Sequence, residues 1–330
     1  MPQRGFTIRD LCFGLACLAI ALALLMAASG QLRKRSQSTT AQNQLRWIAG
    51  VTASYVADYQ DSLWGLSWRA GETYPFQGGT TVPSTGMIAA AYQAIDILNR
   101  RGRPDINPPG SWYPAPLYSH LPLLDYLDRD PPDRSFVSPG DKHRFNWTKD
   151  PERLHDQGFW LPYQESPGAT NKRWPYSSSF HVPPAIVTSP YSGSGAVTQG
   201  FTHRSWNVPS TVELRPILLS DVVYPAQKVH IHESHSWYHG PQVDSYAYPR
   251  ARVHVLSADG TAQSLAARDA NLGWQPTRPD TAAATIFQYS PSLWEGPPVP
   301  DSLMEARYRF TRGGPTGRDF GGPEVDTGQP

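Results

Sequence analysis

The chain contains almost no cysteine. Its two, Cys12 and Cys17, both lie in the first apolar run. The rest of the chain therefore carries no disulfide framework and no thiolate metal site, and the two thiols read as helix-packing residues rather than redox groups. A charge excess is also missing. Lys+Arg 29 against Asp+Glu 28 leaves a formal net charge of +1, which excludes the broad basic footprint of a nucleic-acid binder or a polybasic membrane binder. There is no G-x-S-x-G elbow, no H-E-x-x-H pair and no P-loop lysine. The glycine-rich GSGAV (from Gly193) and FQGGTT read as turns. The carboxylates Asp125, Asp128, Asp130, Glu165 and Asp221 are scattered, with no spacing that marks a catalytic pair. No internal repeat is present.

Proline and aromatics are plentiful: 33 Pro and 27 Gly stand beside 11 Trp and 16 Tyr. The first two favour loops and short strands, and the aromatics argue against disorder. For 330 residues, one or two domains with a loop-rich, aromatic-packed body are expected.

Leu11 to Ser29 holds no charge. At 1.5 Å per residue that run spans roughly 28 Å as a helix, close to the thickness of a bilayer core. From Gln31 to Gln60 there is no proline, and Leu45, Ile48, Val51, Tyr55 and Val56 recur at three-to-four spacing. One continuous helix is expected, apolar all round at first and amphipathic where it docks on a soluble body. A second helix is expected over MIAAAYQAIDILNRR, with Ser84 as N-cap and Gly102 ending it. Pro104 to Ser177 reads as ordered loops with short elements, DRDPPDR and KDPERLHD being turns or short helical pieces.

Strand signals come late. QKVHIHES sets Val229 and Ile231 against His230 and His232, and ARVHVLSADGTAQSL sets Val253 and Val255 against Arg252 and His254. Asp259-Gly260 signals a hairpin in which both turn residues take positive φ. A small antiparallel sheet with one wet face follows, and the fold class is α+β.

HIHESHSWYH is the densest cluster of chemically capable side chains. On a strand His230 and His232 share a face, a geometry that metal sites use, with His235, His239 or His254 as a third ligand. A wet strand face followed by a turn explains the same residues, so no metal site is assigned and no cofactor is implied.

GFTIRD followed by an apolar helix resembles the N-terminus of type IV pilin-like proteins, including the pseudopilins of type II secretion. The late order RVHVLSADGTAQSL, ANLGWQP and RYRFTRGGPTGRDFGG resembles a prepilin-type subfamily with a His-x9-Asp-Gly signature. Asp259-Gly260 is present, but Pro249 stands where the histidine would be, and His239 lies farther upstream. The resemblance implies cleavage by a prepilin peptidase between Gly5 and Phe6, followed by methylation of the new Phe6 amine. It also implies an acidic fifth mature residue. That residue is Asp10, where the family usually has Glu, and Arg9 precedes it. A charge at the bilayer is costly unless paired. Asp10 then neutralises the freed Phe6 amine, in its own chain or in a neighbouring subunit.

The expected organisation is a leader (1–5), a transmembrane part of the helix (6–30) and its amphipathic part (31–60). An extracytoplasmic globular domain (61–312) and an irregular Gly/Pro-rich tail (313–330) follow. The implied partners are the prepilin peptidase, other pilin-like subunits and the lipid bilayer, with no nucleic acid. The implied location is the bacterial inner membrane, single-pass, in a structural rather than enzymatic role. Charge count alone points the other way, since Arg33, Lys34 and Arg35 after the span outnumber Arg4 and Arg9 before it. The competing reading is an exported protein, either held by an uncleaved signal anchor or cut near Ala28 as an ordinary signal peptide, whose body binds a metal or carbohydrate or acts as a hydrolase.

Overall fold

The structure, a computed structural model, describes residues 8–101, 106, 112–151, 171–278, 281, 283–290 and 302–322. Gly5, Phe6, Gly102 and Glu165 lie outside these residues. Asp10 lies within the first helix.

That helix, α1 (Ile8–Asp58), runs for 51 residues without a break, as its Ala/Leu content and lack of proline allow. Its two halves live in different surroundings. Ile8, Phe13, Leu24 and Leu32 are exposed, and this first part is long and apolar enough to cross a membrane. Farther along, Ala41, Leu45 and Ile48 are wholly buried and Thr52 nearly so, with Val51, Tyr55 and Val56 packed beside them. The spacing of four, three and four is one helical face. Thr52 accepts a 2.7 Å hydrogen bond from the buried indole of Trp64, which pins the segment after the helix against it.

The second helix, α2 (Gly86–Arg100), starts one residue later than expected. Thr85, not Ser84, is the N-cap, and its hydroxyl accepts from the Ile88 amide. Gly86 is needed there because a Cβ would fall 2.1 Å from the Val212 carbonyl oxygen. Short helices follow: α3 (Ala115–Tyr118), α4 (Leu121–Tyr126), α5 (Lys142–Trp147) and α6 (Pro184–Val187). Between 104 and 177 the described residues thus form the expected mixture of turns and short helical pieces.

The strands are short. In chain order they are β1 (Tyr74–Phe76), β2 (Gly79–Thr81), β3 (Phe180–His181), β4 (Thr198–Gln199), β5 (Trp206–Asn207) and β6 (Val229–Glu233). After them come β7 (His235–Ser236), β8 (Asp244–Ser245), β9 (Arg252–Ser257), β10 (Ala262–Ala266), β11 (Ile286–Tyr289) and β12 (Ser302–Glu305). One antiparallel sheet has four strands in the order β10-β9-β6-β3; the others are two-stranded ribbons. With the helices, this makes the chain α+β.

The expected wet face is not there. All of β6 is buried, and so is β9 after Arg252. The reason is that both sides of the sheet are covered. Ile231 and Leu256 join the cluster containing Leu45, Ile48 and α2, whereas Val229, Val253 and Val255 join a second cluster with Phe287, Tyr308 and Phe320. The β9–β10 turn also differs in detail. Gly260 alone takes positive φ, at 85°. Asp259 instead caps the turn by accepting from the amide and hydroxyl of Thr261, so the loop is longer than a two-residue type I′ turn.

The tail is ordered as far as it is described. Phe320 packs in the second cluster, and Asp319 meets the buried Lys228 at 3.2 Å. The Gly/Pro-rich composition conceals this, because two anchoring side chains are enough to fix a short irregular segment. Residues 323–330 lie outside the described residues.

Candidate functional site

A strand bulge redistributes the histidines. Val229 pairs with Ser257, but Ile231 pairs with Leu256, so His230 is the extra residue. His230 and His232 therefore do not share a face. The His230 ring lies 5.2 Å from Trp64 in the first cluster, and the His232 ring lies 4.5 Å from Tyr246 near the second. Both are buried, and burial pushes them down to about 4 and about 3. His254 turns to α1, bonding Ser38 at 2.9 Å. His239 lies at a groove of about 600 Å³ beside Lys34 and Arg35. Among the described residues no three His, Cys, Asp or Glu side chains come together in a metal-holding group. Asp125 is engaged by Arg100 and Arg101.

Glu233 is the buried acid of this region. Its carboxylate accepts from the Ser138 hydroxyl at 2.7 Å and the His254 amide at 3.1 Å. Burial nevertheless raises it to about 8, so it is mostly protonated at neutral pH.

Of the histidines in the tract, His235 reaches a large cavity of about 750 Å³, with Ser234 beside it in the lining. The walls of this cavity come from places far apart in the chain: Trp112 and Tyr113 before α3, Trp206 on β5, Tyr246 just after β8, and Phe287 and Tyr289 on β11. Arg307 takes a left-handed φ of 49° and sends its guanidinium to the Ala247 and Ala270 carbonyls. Tyr308 then enters the second cluster, and Arg309 is delivered into the cavity.

Arg309 is only 5% exposed. Its guanidinium carbon lies 4.7 Å from the Tyr246 ring centroid and 5.4 Å from that of Trp206. One nitrogen donates to His181 Nδ1 at 3.1 Å and another to Gln199 Oε1 at 3.4 Å. His181 must be neutral to accept. Burial, with Arg309 adding to it, holds His181 well below the usual histidine range, and burial also pushes His203 down to about 2. Among the described residues the Tyr113 hydroxyl, buried beside them, has no hydrogen-bond partner, and burial raises its pKa. Arg144 and Arg173 also line the space; Arg144 is tied to Asp141 at 2.7 Å, and Arg173 sits over Trp112 at 3.8 Å. Among the described residues no carboxylate lines the cavity, and none pairs with Arg309.

Sequence reasoning missed this site. RYRFTR, with its alternating arginines and aromatics, was the available signal. Comparison of the chain with protein-family models, with curated proteins and with solved structures gives no match.

Proposed function

We propose that the chain is a membrane-anchored, pilin-like or pseudopilin-like assembly protein of the bacterial inner membrane, with its body outside the cytoplasm. A prepilin peptidase cuts between Gly5 and Phe6, and Asp10 then meets the freed Phe6 amine in the same chain or in another pilin-like subunit. The observation that carries this reading is the division of α1. One unbroken helix has an exposed apolar first part and a second part whose Leu45 and Ile48 are fully buried in the body. Such a helix serves as a membrane anchor and then as a packing spine.

The test is mass spectrometry of the N-terminus of protein purified from its membrane. A methylated Phe6 start is expected, with Asp10→Ala reducing incorporation into assemblies. An intact Met1, or a start just after Ala28, overturns the reading. Either of these outcomes favours an exported binding protein, signal-anchored where Met1 is intact, for which the cavity around Arg309 is the supporting feature.

A further inference from the structure

A buried guanidinium is strongly disfavoured unless something offsets its lost hydration. Arg309 has partial compensation from aromatic faces and two neutral acceptors, and no anion among the described residues. It faces a space large enough for a small molecule. We propose that this cavity binds a small carboxylate carried on a ring, with the carboxylate held by Arg309 and the ring lying against Trp206, Tyr246 and Phe287.

Three observations select that chemistry. First, Arg309 stands among neutral histidines with no carboxylate beside it among the described residues, whereas the buried Arg144 of the same lining is tied to Asp141 and the buried Arg173 lies over Trp112; a planar carboxylate fits the Arg309 guanidinium fork. Second, the apolar walls are aromatic: Trp206, Tyr246 and Phe287 line the space, and Trp206 lies 5.3 Å from Tyr113 by ring centroid. Flat ring faces stack on such surfaces. Third, the Tyr113 hydroxyl is buried in the same space without a partner among the described residues. Buried hydroxyls are rarely left so, and a ligand carboxylate or hydroxyl completes it. An acidic sugar and an aromatic acid share this chemistry. The site does not depend on processing at Gly5.

The experiment is calorimetric titration of the full-length protein in detergent with galacturonate, phenylacetate, the methyl ester of each, and inorganic phosphate. Saturable binding of at least one free acid is expected, weakened about tenfold or more in its ester, which lacks the charge. Tighter galacturonate identifies an acidic saccharide, and tighter phenylacetate an aromatic acid; either supports the site. Arg309→Gln should weaken binding of the acid about tenfold or more, and Tyr113→Phe about threefold, with circular dichroism unchanged. If Arg309→Gln fails to fold, the comparison of acid with ester on the unaltered protein decides. The proposal is overturned if neither acid binds below about 10 mM, if ester and acid bind equally, or if phosphate binds more tightly than both acids.

Discussion

Lys228 and Asp319 form an ion pair of 3.2 Å, with their side chains 0% and 1% exposed, joining the start of β6 to the C-terminal segment. Asp319 also accepts from the Val229 amide at 2.7 Å, and Thr311 bonds to both members of the pair. Burial lowers the lysine and raises the aspartate, while each opposes that shift in the other. Removing one partner leaves an uncompensated buried charge. Asp319→Ala is therefore expected to cost about 3–5 kcal/mol in urea unfolding, and a Lys228→Met/Asp319→Asn double variant to recover part of it. Additive losses in the double variant would show that the pair does not act as a unit.

Stability should depend on pH from two opposite directions. His120 is pushed down by burial to about 3, His230 to about 4 and His232 to about 3. Their folded values lie below the unfolded one, so the unfolded chain takes up protons first. The stability they contribute is present above about pH 6.5 and is lost as pH falls through the folded values. Glu233 acts the other way. Raised to about 8 from an ordinary value of 4.5, it stays protonated in the fold while the unfolded chain ionises. Its contribution is full below the ordinary value and is lost as pH rises through about 8. Urea midpoints across pH 3 to 9 should show a steep acid limb and a shallower alkaline decline. Glu233→Gln, which keeps the shape and cannot ionise, should flatten the alkaline decline alone.

The two parts of α1 should respond differently to truncation and substitution. Deleting residues 1–30 removes exposed apolar side chains such as Phe13 and Leu24. The melting temperature of the body should stay within about 2 °C of that of the full chain. Leu45→Ala or Ile48→Ala opens a cavity in the first cluster, and a loss of about 2–5 kcal/mol is expected. Calorimetry of the three proteins tests both statements.

Two glycines make an opposed pair of substitutions. A Cβ on Gly86 meets the Val212 carbonyl oxygen at 2.1 Å, whereas one on Gly50 meets nothing within 4 Å. Gly86→Ala should destabilise by about 1–3 kcal/mol through overpacking. Gly50→Ala should stabilise by roughly 0.5–1 kcal/mol, because alanine holds a helix better than glycine. Denaturant midpoints measured side by side would reveal any departure in sign.

Local signals decided how much could be read in advance. The long helix, the second helix to within one residue and the β9–β10 hairpin were legible, because apolar spacing, capping and turn chemistry act over a few residues. The placement of the histidines was not. A single extra residue at His230 reverses which side of the sheet it occupies, and nothing in the alternation of QKVHIHES reveals a bulge. The burial of both sheet faces escaped as well, since α1 and the C-terminal segment return from opposite ends of the chain to cover them.

By itself the sequence determined an uncharged run long enough to cross a bilayer, a helix that continues beyond it as an amphipathic spine, and a late antiparallel hairpin. These are properties of neighbouring residues, so neighbouring residues fix them. Only the tertiary structure decided that Arg309 stands deep in an aromatic cavity beside His181 and Tyr113, more than a hundred residues away along the chain. A buried cation and the walls around it are brought together by packing of distant segments, and that packing is a property of the whole fold rather than of any stretch within it.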